Sequence, residues 1–390
     1  MLNAKVIGIG AAGNKAAIAL IENGVIAKEA VVLLNTTLKD VPAAYKDTAV
    51  QILGAFQGCA KERDIASQMI MDNLRNGKIS LDGILTPEDK MVIIVTSLEG
   101  GTGCGASTVL ARYFSEVLNA KVHLFGISGF EEDARGMKNT VDWFKELSEN
   151  YIVECISNKK FLKENFNNKL KAEKAANEEF VKRIRVLLGK TIVDSDQNID
   201  DADLYKLTTT PGFMTIETVN IDKVKNGEAL DKAIMDAIDN SKSLDVEATC
   251  KRIGVIVNVR TKTKDSIDGR FEVLRQRYGE PFEFFTHIQD VHEAETVTFV
   301  VAGLKMPTEE IEGVYSAFLA RLDAVDNSKD AFFGKSFDTA VGGFDINPVQ
   351  LTANEIQSNK ANFFGSATVK KDTVKTENGT AKNISISDQL

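Results

Sequence analysis

Val92-Ile-Ile-Val-Thr-Ser-Leu-Glu-Gly-Gly-Thr-Gly-Cys-Gly-Ala-Ser107 is the stretch whose reading decides the fold. An apolar, β-branched run from Met91 to Val95 gives way to Gly100, Gly101, Thr102, Gly103, Cys104 and Gly105, and a helical pattern opens at Ala106. That order predicts strand, glycine loop, helix. Glycines lack a Cβ, so their amides can turn toward an anion, and the following helix N-terminus adds partial positive charge; the expected occupant is phosphate. A plain surface turn does not account for so many glycines between a buried strand and a helix.

The arrangement recurs upstream. Lys5-Val-Ile-Gly-Ile-Gly10 reads as a short buried strand, and Gly10-Ala11-Ala12-Gly13-Asn14-Lys15 turns into a helix over Ala16 to Asn23. Gly8, Gly10 and Gly13 satisfy the GxGxxG dinucleotide fingerprint. The next strand, Ala30 to Leu34, ends in Asn35-Thr36-Thr37, without the ribose-binding carboxylate of a dinucleotide fold. Gly13-Asn14-Lys15 also breaks the Gly-Lys-Ser/Thr rule of a P-loop. A third turn, beginning at Gly54, follows a strand over Ala49 to Leu53, and further strands are expected over Val122 to Ile127 and Ile152 to Ser157. Turns of this kind at successive strand ends predict one mononucleotide held by many amides at the carboxyl edge of a Rossmann-like, doubly wound parallel sheet of α/β class. Glu131 and Arg135 stand one helical turn apart, spaced to reach a ribose or to pair with each other. Asn158 either reads a base edge or closes a turn.

Composition narrows the possibilities. The chain has 390 residues, 43% of them hydrophobic, enough for two or three domains with a substantial core. A net charge of −9 argues against a direct grip on nucleic acid, so any DNA contact is expected to be indirect. Neither a signal peptide nor a membrane-spanning run is visible. Cys59, Cys104, Cys155 and Cys250 lie far apart, which fits a reduced cytoplasm, and His123, His287 and His292 form no HExxH, leaving metal-hydrolase chemistry unsupported.

Beyond the glycine loops, Phe180, Val181, Ile184, Leu187 and Leu188 recur at helical spacing and predict a helix over Ala175 to Leu188, buried between two domains. Gln197-Asn198-Ile-Asp200-Asp201-Ala-Asp203 follows, and Asp200 with its acidic neighbours also suits a helix N-cap. A mixed region comes next, with strands over Phe213 to Val219, Arg252 to Val259, Pro281 to Gln289 and Thr296 to Leu304, and helices over Gly227 to Asn240 and Asp265 to Tyr278. A helix is expected from Glu309 to Leu322, and the polar stretch past Gly365 is expected to be disordered alone.

These residues resemble the tubulin/FtsZ superfamily of filament-forming GTPases. Gly100-Gly-Thr-Gly-Cys-Gly-Ala106 is similar to its GGTGxG motif, and Gly10-Ala-Ala-Gly13-Asn14 to its first phosphate loop. By the resemblance, Glu131 and Arg135 match the ribose-side Glu and Arg, and Asn158 the asparagine near guanine. Asn177 and Glu178 fall on the base-reading pair, with Glu178 where the family carries Asp and Glu173 where bacterial FtsZ stacks an aromatic. Asn198, Asp200 and Asp203 match the NxDxxD synergy loop. The likeness spans about residues 1 to 305. It implies a GTP-binding domain (1–173), a central connecting helix (174–196), an activation domain with the catalytic loop (197–305), a C-terminal helical extension (306–365) and a flexible tail (366–390).

A central helix on the order of 20 Å long keeps the acids beyond its far end away from phosphates at its near end. The resemblance therefore implies head-to-tail stacking, with Asp200, Asp203 and Asn198 acting on the neighbour's GTP, which becomes GDP and phosphate. Mg²⁺ is expected on the GTP phosphates and water rather than on protein ligands. Asn383-Ile-Ser-Ile-Ser-Asp-Gln-Leu390 lacks the proline- and leucine-bearing acidic peptide of division FtsZ, and Ile127-Ser128-Gly129 replaces its Pro-Phe. These features resemble the TubZ class of plasmids and phages. They imply a small DNA-binding adaptor, bound to a centromere-like site and to the C-terminal tail, in the cytoplasm of a bacterial host, with no direct membrane contact. An FtsZ-like division-ring GTPase, a dinucleotide-dependent oxidoreductase and a non-hydrolysing filament are the alternatives.

Overall fold

The computed structural model describes residues 1–333 except 56, 82, 194–198, 225, 247–248, 261–270 and 292–293. Strands β1 (Asn3–Ile9), β2 (Val31–Asn35), β3 (Ala49–Gln51), β4 (Asp89–Ser97), β5 (Val122–Ser128) and β6 (Ile152–Ser157) pair in parallel in the order β3-β2-β1-β4-β5-β6. The order reverses between β1 and β4, which opens a crevice at the carboxyl edge. Met91 to Val95 of β4 are all buried because helices cover both faces, the expected environment for an unalternating apolar strand.

The sheet continues past β6. β7 (Gly212–Asn220) joins it in parallel through two residue pairs, Ile152 with Gly212 and Val153 with Phe213. β10 (Thr296–Leu304) runs antiparallel between β7 and β8 (Arg252–Val259), and β9 (Glu283–Asp290) lies parallel to β8 at the outer edge. Above Val153 the edge of β6 bonds to residues 242–244 instead, with Ser157 N donating to Lys242 O (2.9 Å) and Leu244 N to Cys155 O (3.1 Å).

One face of the sheet carries α2 (Arg63–Arg75), α3 (Gly101–Arg112), α4 (Ala134–Lys145), α8 (Gly227–Asp239), α9 (Glu272–Tyr278) and α10 (Thr308–Phe333). The other carries α1 (Gly10–Glu22), α5 (Asn158–Leu162), α6 (Lys169–Leu187) and α7 (Asp201–Thr208). Phe180, Val181, Ile184 and Leu187 of the central helix α6 are buried, and Phe180 meets Phe125 of β5 edge-on at 4.6 Å between ring centroids.

Several boundaries differ from the sequence expectation. Helix α1 begins at Gly10 rather than Ala16, and α3 at Gly101 rather than Ala106, so the glycines form the first helical turns themselves. Glycine's low helix propensity hid those turns. The central helix starts at Lys169, not Ala175, because Asn168 caps it by accepting from Lys171 N at 3.0 Å. α10 runs eleven residues past Leu322, to Phe333. Asn198, residues 265–270 of an expected helix, residues 334–365 and the 366–390 tail lie outside the described residues.

Candidate nucleotide site

Two helix N-termini converge at the crevice. α1 follows β1 directly, α3 follows β4 after Leu98, Glu99 and Gly100, and neither carries a side-chain cap or an acidic residue in its first turn. In contrast, α4, α6, α7 and α8 are each capped by a side chain, from Asp133, Asn168, Asp200 and Asn226. The first-turn amides of Gly10, Ala11 and Ala12 and of Gly101, Thr102 and Gly103 have no acceptor within their own helices. Gly10 sits at φ +74°, and a Cβ there would lie 3.2 Å from Gly103 N, so the two amide sets face one anion-sized region.

Most of the glycines also serve packing. A Cβ on Gly103 would lie 2.2 Å from Thr96 Oγ1 and 3.0 Å from the Ile9 carbonyl; on Gly105 it would lie 2.0 Å from the Arg63 carbonyl, and on Gly13 2.3 Å from the Val95 carbonyl. Gly100 alone in this loop has nothing within 4 Å of that position. Clearance for an anion is thus only part of the reason for the glycine cluster; close seating of α1, α2 and α3 is the larger part.

The walls of the crevice come from neighbouring strand ends. Asn35 ends β2, and its Oδ1 accepts Thr36 N at 2.9 Å, turning the side chain back onto its own backbone. Thr36 Oγ1 lies 3.0 Å from Thr102 Oγ1, which lies 3.2 Å from Cys59 Sγ. The loop after β3 carries exposed Gly54 and ends on two left-handed residues, Ala60 (φ 50°) and Lys61 (φ 63°), with Asn139 Nδ2 donating to the Lys61 carbonyl at 2.9 Å. Cys104 points away from the crevice, Sγ to the Asn139 carbonyl at 3.1 Å, and burial pushes its thiol up to about 12.

Glu131 and Arg135 do not form the one-turn pair that their spacing allowed. α4 begins at Ala134, leaving Glu131 outside the helix at φ 57°. Its carboxylate pairs with Lys159 at 2.7 Å, and Arg135 pairs with Glu62 at 3.0 Å. Glu99 went unassigned in the sequence although it stands inside the decisive stretch. Its carboxylate accepts Glu131 N (2.7 Å) and Phe130 N (3.3 Å), and burial raises its pKa above the usual carboxylate value.

Asn14, directly after the first turn of α1, is 2% exposed and neither Oδ1 nor Nδ2 has a partner; Asn158, at the end of β6, is 9% exposed with Oδ1 unpartnered. Buried amide groups left open are costly, about 1 to 3 kcal/mol, and so mark a place for a ligand with its own donors and acceptors. Asn177 is half-buried on α6, whereas Glu178 is exposed and faces Lys174 at 3.8 Å.

Asp200 and Asp203 lie apart from all of this. Asp200 caps α7, Oδ1 accepting Asp203 N at 2.8 Å, and α7 follows the far end of the 19-residue α6, about 28 Å from its start. Among the described residues no helix is long and apolar enough to cross a membrane, and no group of three His, Cys, Asp or Glu could hold a metal.

No protein-family model matches the chain. The tubulin-like protein CetZ2 of Haloferax volcanii is 24% identical over 210 residues, which is 50% of this chain and 58% of that protein. The GTPγS-form protofilament of TubZ from Bacillus thuringiensis serovar israelensis superposes with a TM-score of 0.69 at 16% identity, covering 85% of this chain and 94% of that one. FtsZ of M. jannaschii superposes with a TM-score of 0.59 at 22% identity, covering 78% and 88%. The sheet order, the paired glycine helices and these superpositions agree: the chain has the fold seen in the solved TubZ and FtsZ structures.

Proposed function

We propose that the chain binds and hydrolyses GTP in the crevice and stacks head to tail, so that Asp200 and Asp203 of one subunit approach the nucleotide of the next. The observation that carries the nucleotide reading is the crevice itself: two uncapped helix N-termini together with the open amides of Asn14 on α1 and Asn158 at the end of β6. A base with both donors and acceptors satisfies an asparagine amide, and triphosphate charge satisfies the helix termini. Asn177 and Glu178 are assigned to the base, Glu131 and Arg135 to the ribose side. Mg²⁺ would accompany the triphosphate, held by its phosphate oxygens and water, and would supply neutralisation of phosphate charge. The TubZ and CetZ2 comparison structures include GTPγS-bound protofilaments, which supports both parts.

Stacking has support in this chain too. Phe166 (90% exposed), Leu170 and Leu53 lie by topology at the carboxyl edge of the parallel strands, whereas Phe282 (85% exposed) precedes the amino end of β9. Large apolar side chains exposed at both ends of the sheet's strands suit a heterologous contact that repeats along a filament. Of the finer readings, we favour a TubZ-type role in plasmid or phage DNA segregation, in a bacterial cytoplasm, through a small DNA-binding adaptor on the C-terminal tail. The net charge of −9 supports an indirect DNA link. Domain limits near 173, 196, 305 and 365 belong to the same proposal.

The test is phosphate release against protein concentration, with pelleting and electron microscopy in GTP, GDP and GTPγS, and NAD as competitor. Turnover per molecule that rises through a threshold supports the proposal. Constant turnover, or displacement of nucleotide by NAD, overturns it.

A further inference from the structure

We propose that Arg321 of α10 is a positioning residue for the nucleotide crevice, and that α10 acts as a strap controlling how fast nucleotide leaves. The inference rests on the nucleotide reading above and extends it to a part of the chain outside the crevice. Arg321 donates from Nη1 to the Glu132 carbonyl and from Nη2 to the Glu131 carbonyl (3.3 Å). The two preceding peptides of the same loop are held by Glu99, which accepts the Phe130 and Glu131 amides and directly precedes Gly100. Lys159, beside Asn158, holds the Glu131 side chain. Glu131 is a non-glycine residue at φ 57°, a conformation that persists where its surroundings fix it. Those surroundings are the phosphate loop, the base-side helix α5 and the C-terminal helix.

α10 is itself anchored before it reaches Arg321. Ile311 and Val314 are buried, Lys145 sits 5.3 Å from the Tyr315 ring centroid, and Glu310 accepts Asp245 N at 2.6 Å with Lys160 3.7 Å away. Its first turns are fixed on α4, α5 and the segment after α8. Arg321 lies one to two turns further on, exposed to water, so its two bonds can break without unfolding the core. A strap of this kind makes the crevice responsive to whatever engages the C-terminal extension.

Arg321→Ala is expected to release a fluorescent GDP analogue about tenfold faster, the effect of losing roughly one charge-assisted pair of bonds. Arg321→Lys, whose single ammonium cannot span both carbonyls, should fall between. Hydrogen exchange in the nucleotide-free full chain should rise at residues 130–133 and stay unchanged at 311–318. Wild-type chain that binds no guanine nucleotide overturns the underlying reading. Wild-type chain that binds it, with Arg321→Ala releasing it at the wild-type rate or leaving exchange at 130–133 unchanged, overturns the strap alone.

Discussion

Arg183 of α6 and Glu154 of β6 meet at 2.9 Å with both side chains fully buried. The same guanidinium donates to Glu217 of β7 (2.9 Å), Ser243 (2.6 Å) and Glu179 (2.8 Å), and the carboxylates around it hold its pKa well above the usual arginine value. These residues fill the wedge where β7 leaves β6, tying the parallel half of the sheet to the mixed half through the central helix. Arg183→Met is expected to cost about 3 to 5 kcal/mol, because Glu154 and Glu217 are left buried without their counter-charge. Denaturant unfolding measures it, and a loss below about 1 kcal/mol would show that the cluster is hydrated and dispensable.

The open amide of Asn14 should trade stability for function. Asn14→Leu removes two unpartnered buried polar atoms, so the folded chain is expected to gain about 1 to 3 kcal/mol. Guanine-nucleotide affinity should fall at least about tenfold, measured by titration with a fluorescent analogue. A variant that binds as tightly as wild type would remove Asn14 from the site.

Capping and hydrolysis can be separated at Asp200. Asparagine caps as well as aspartate, so Asp200→Asn should keep the stability of α7, whereas Asp200→Ala should lose about 1 kcal/mol. Both should bind GTP and hydrolyse it about 10² to 10⁴ times more slowly, because the lost carboxylate acts mainly in the transition state. Asp203→Ala should behave likewise in turnover. Asp200→Asn with wild-type turnover would leave Asp200 a cap and nothing more.

Glu99 sets a pH dependence with a definite sign. Burial raises its pKa in the folded chain against the pull of the Glu131 and Phe130 amides, so on raising the pH the unfolded chain gives up its proton first, near the ordinary value of about 4.3. Between that value and the raised one the folded state binds more protons, and stability falls as pH rises. Subtracting the Glu99→Gln unfolding curve from the wild-type curve isolates this contribution. A difference that grows with pH over that window contradicts the assignment.

The sequence by itself determined the regular elements with strong periodicity. Met91 to Val95 could only be a strand buried on both faces, and the spacing of Phe180, Ile184 and Leu187 could only be one face of a helix, because these patterns are local consequences of backbone geometry. It also located the glycine turns and the asparagine Asn158 at strand ends. Helix starts were less legible, since Gly101 and Gly10 begin helices that their own propensity opposes; the strand behind them and the packing of α3 on β1 and β4 decide the matter. Only the tertiary structure decided partners. Arg135 answers to Glu62 rather than Glu131, Arg321 reaches a loop 189 positions earlier, and Glu154, Glu217 and Arg183 converge from three elements. Such contacts depend on how strands order themselves in the sheet, and strand order is fixed by the summed packing of both faces, which no local pattern of residues encodes.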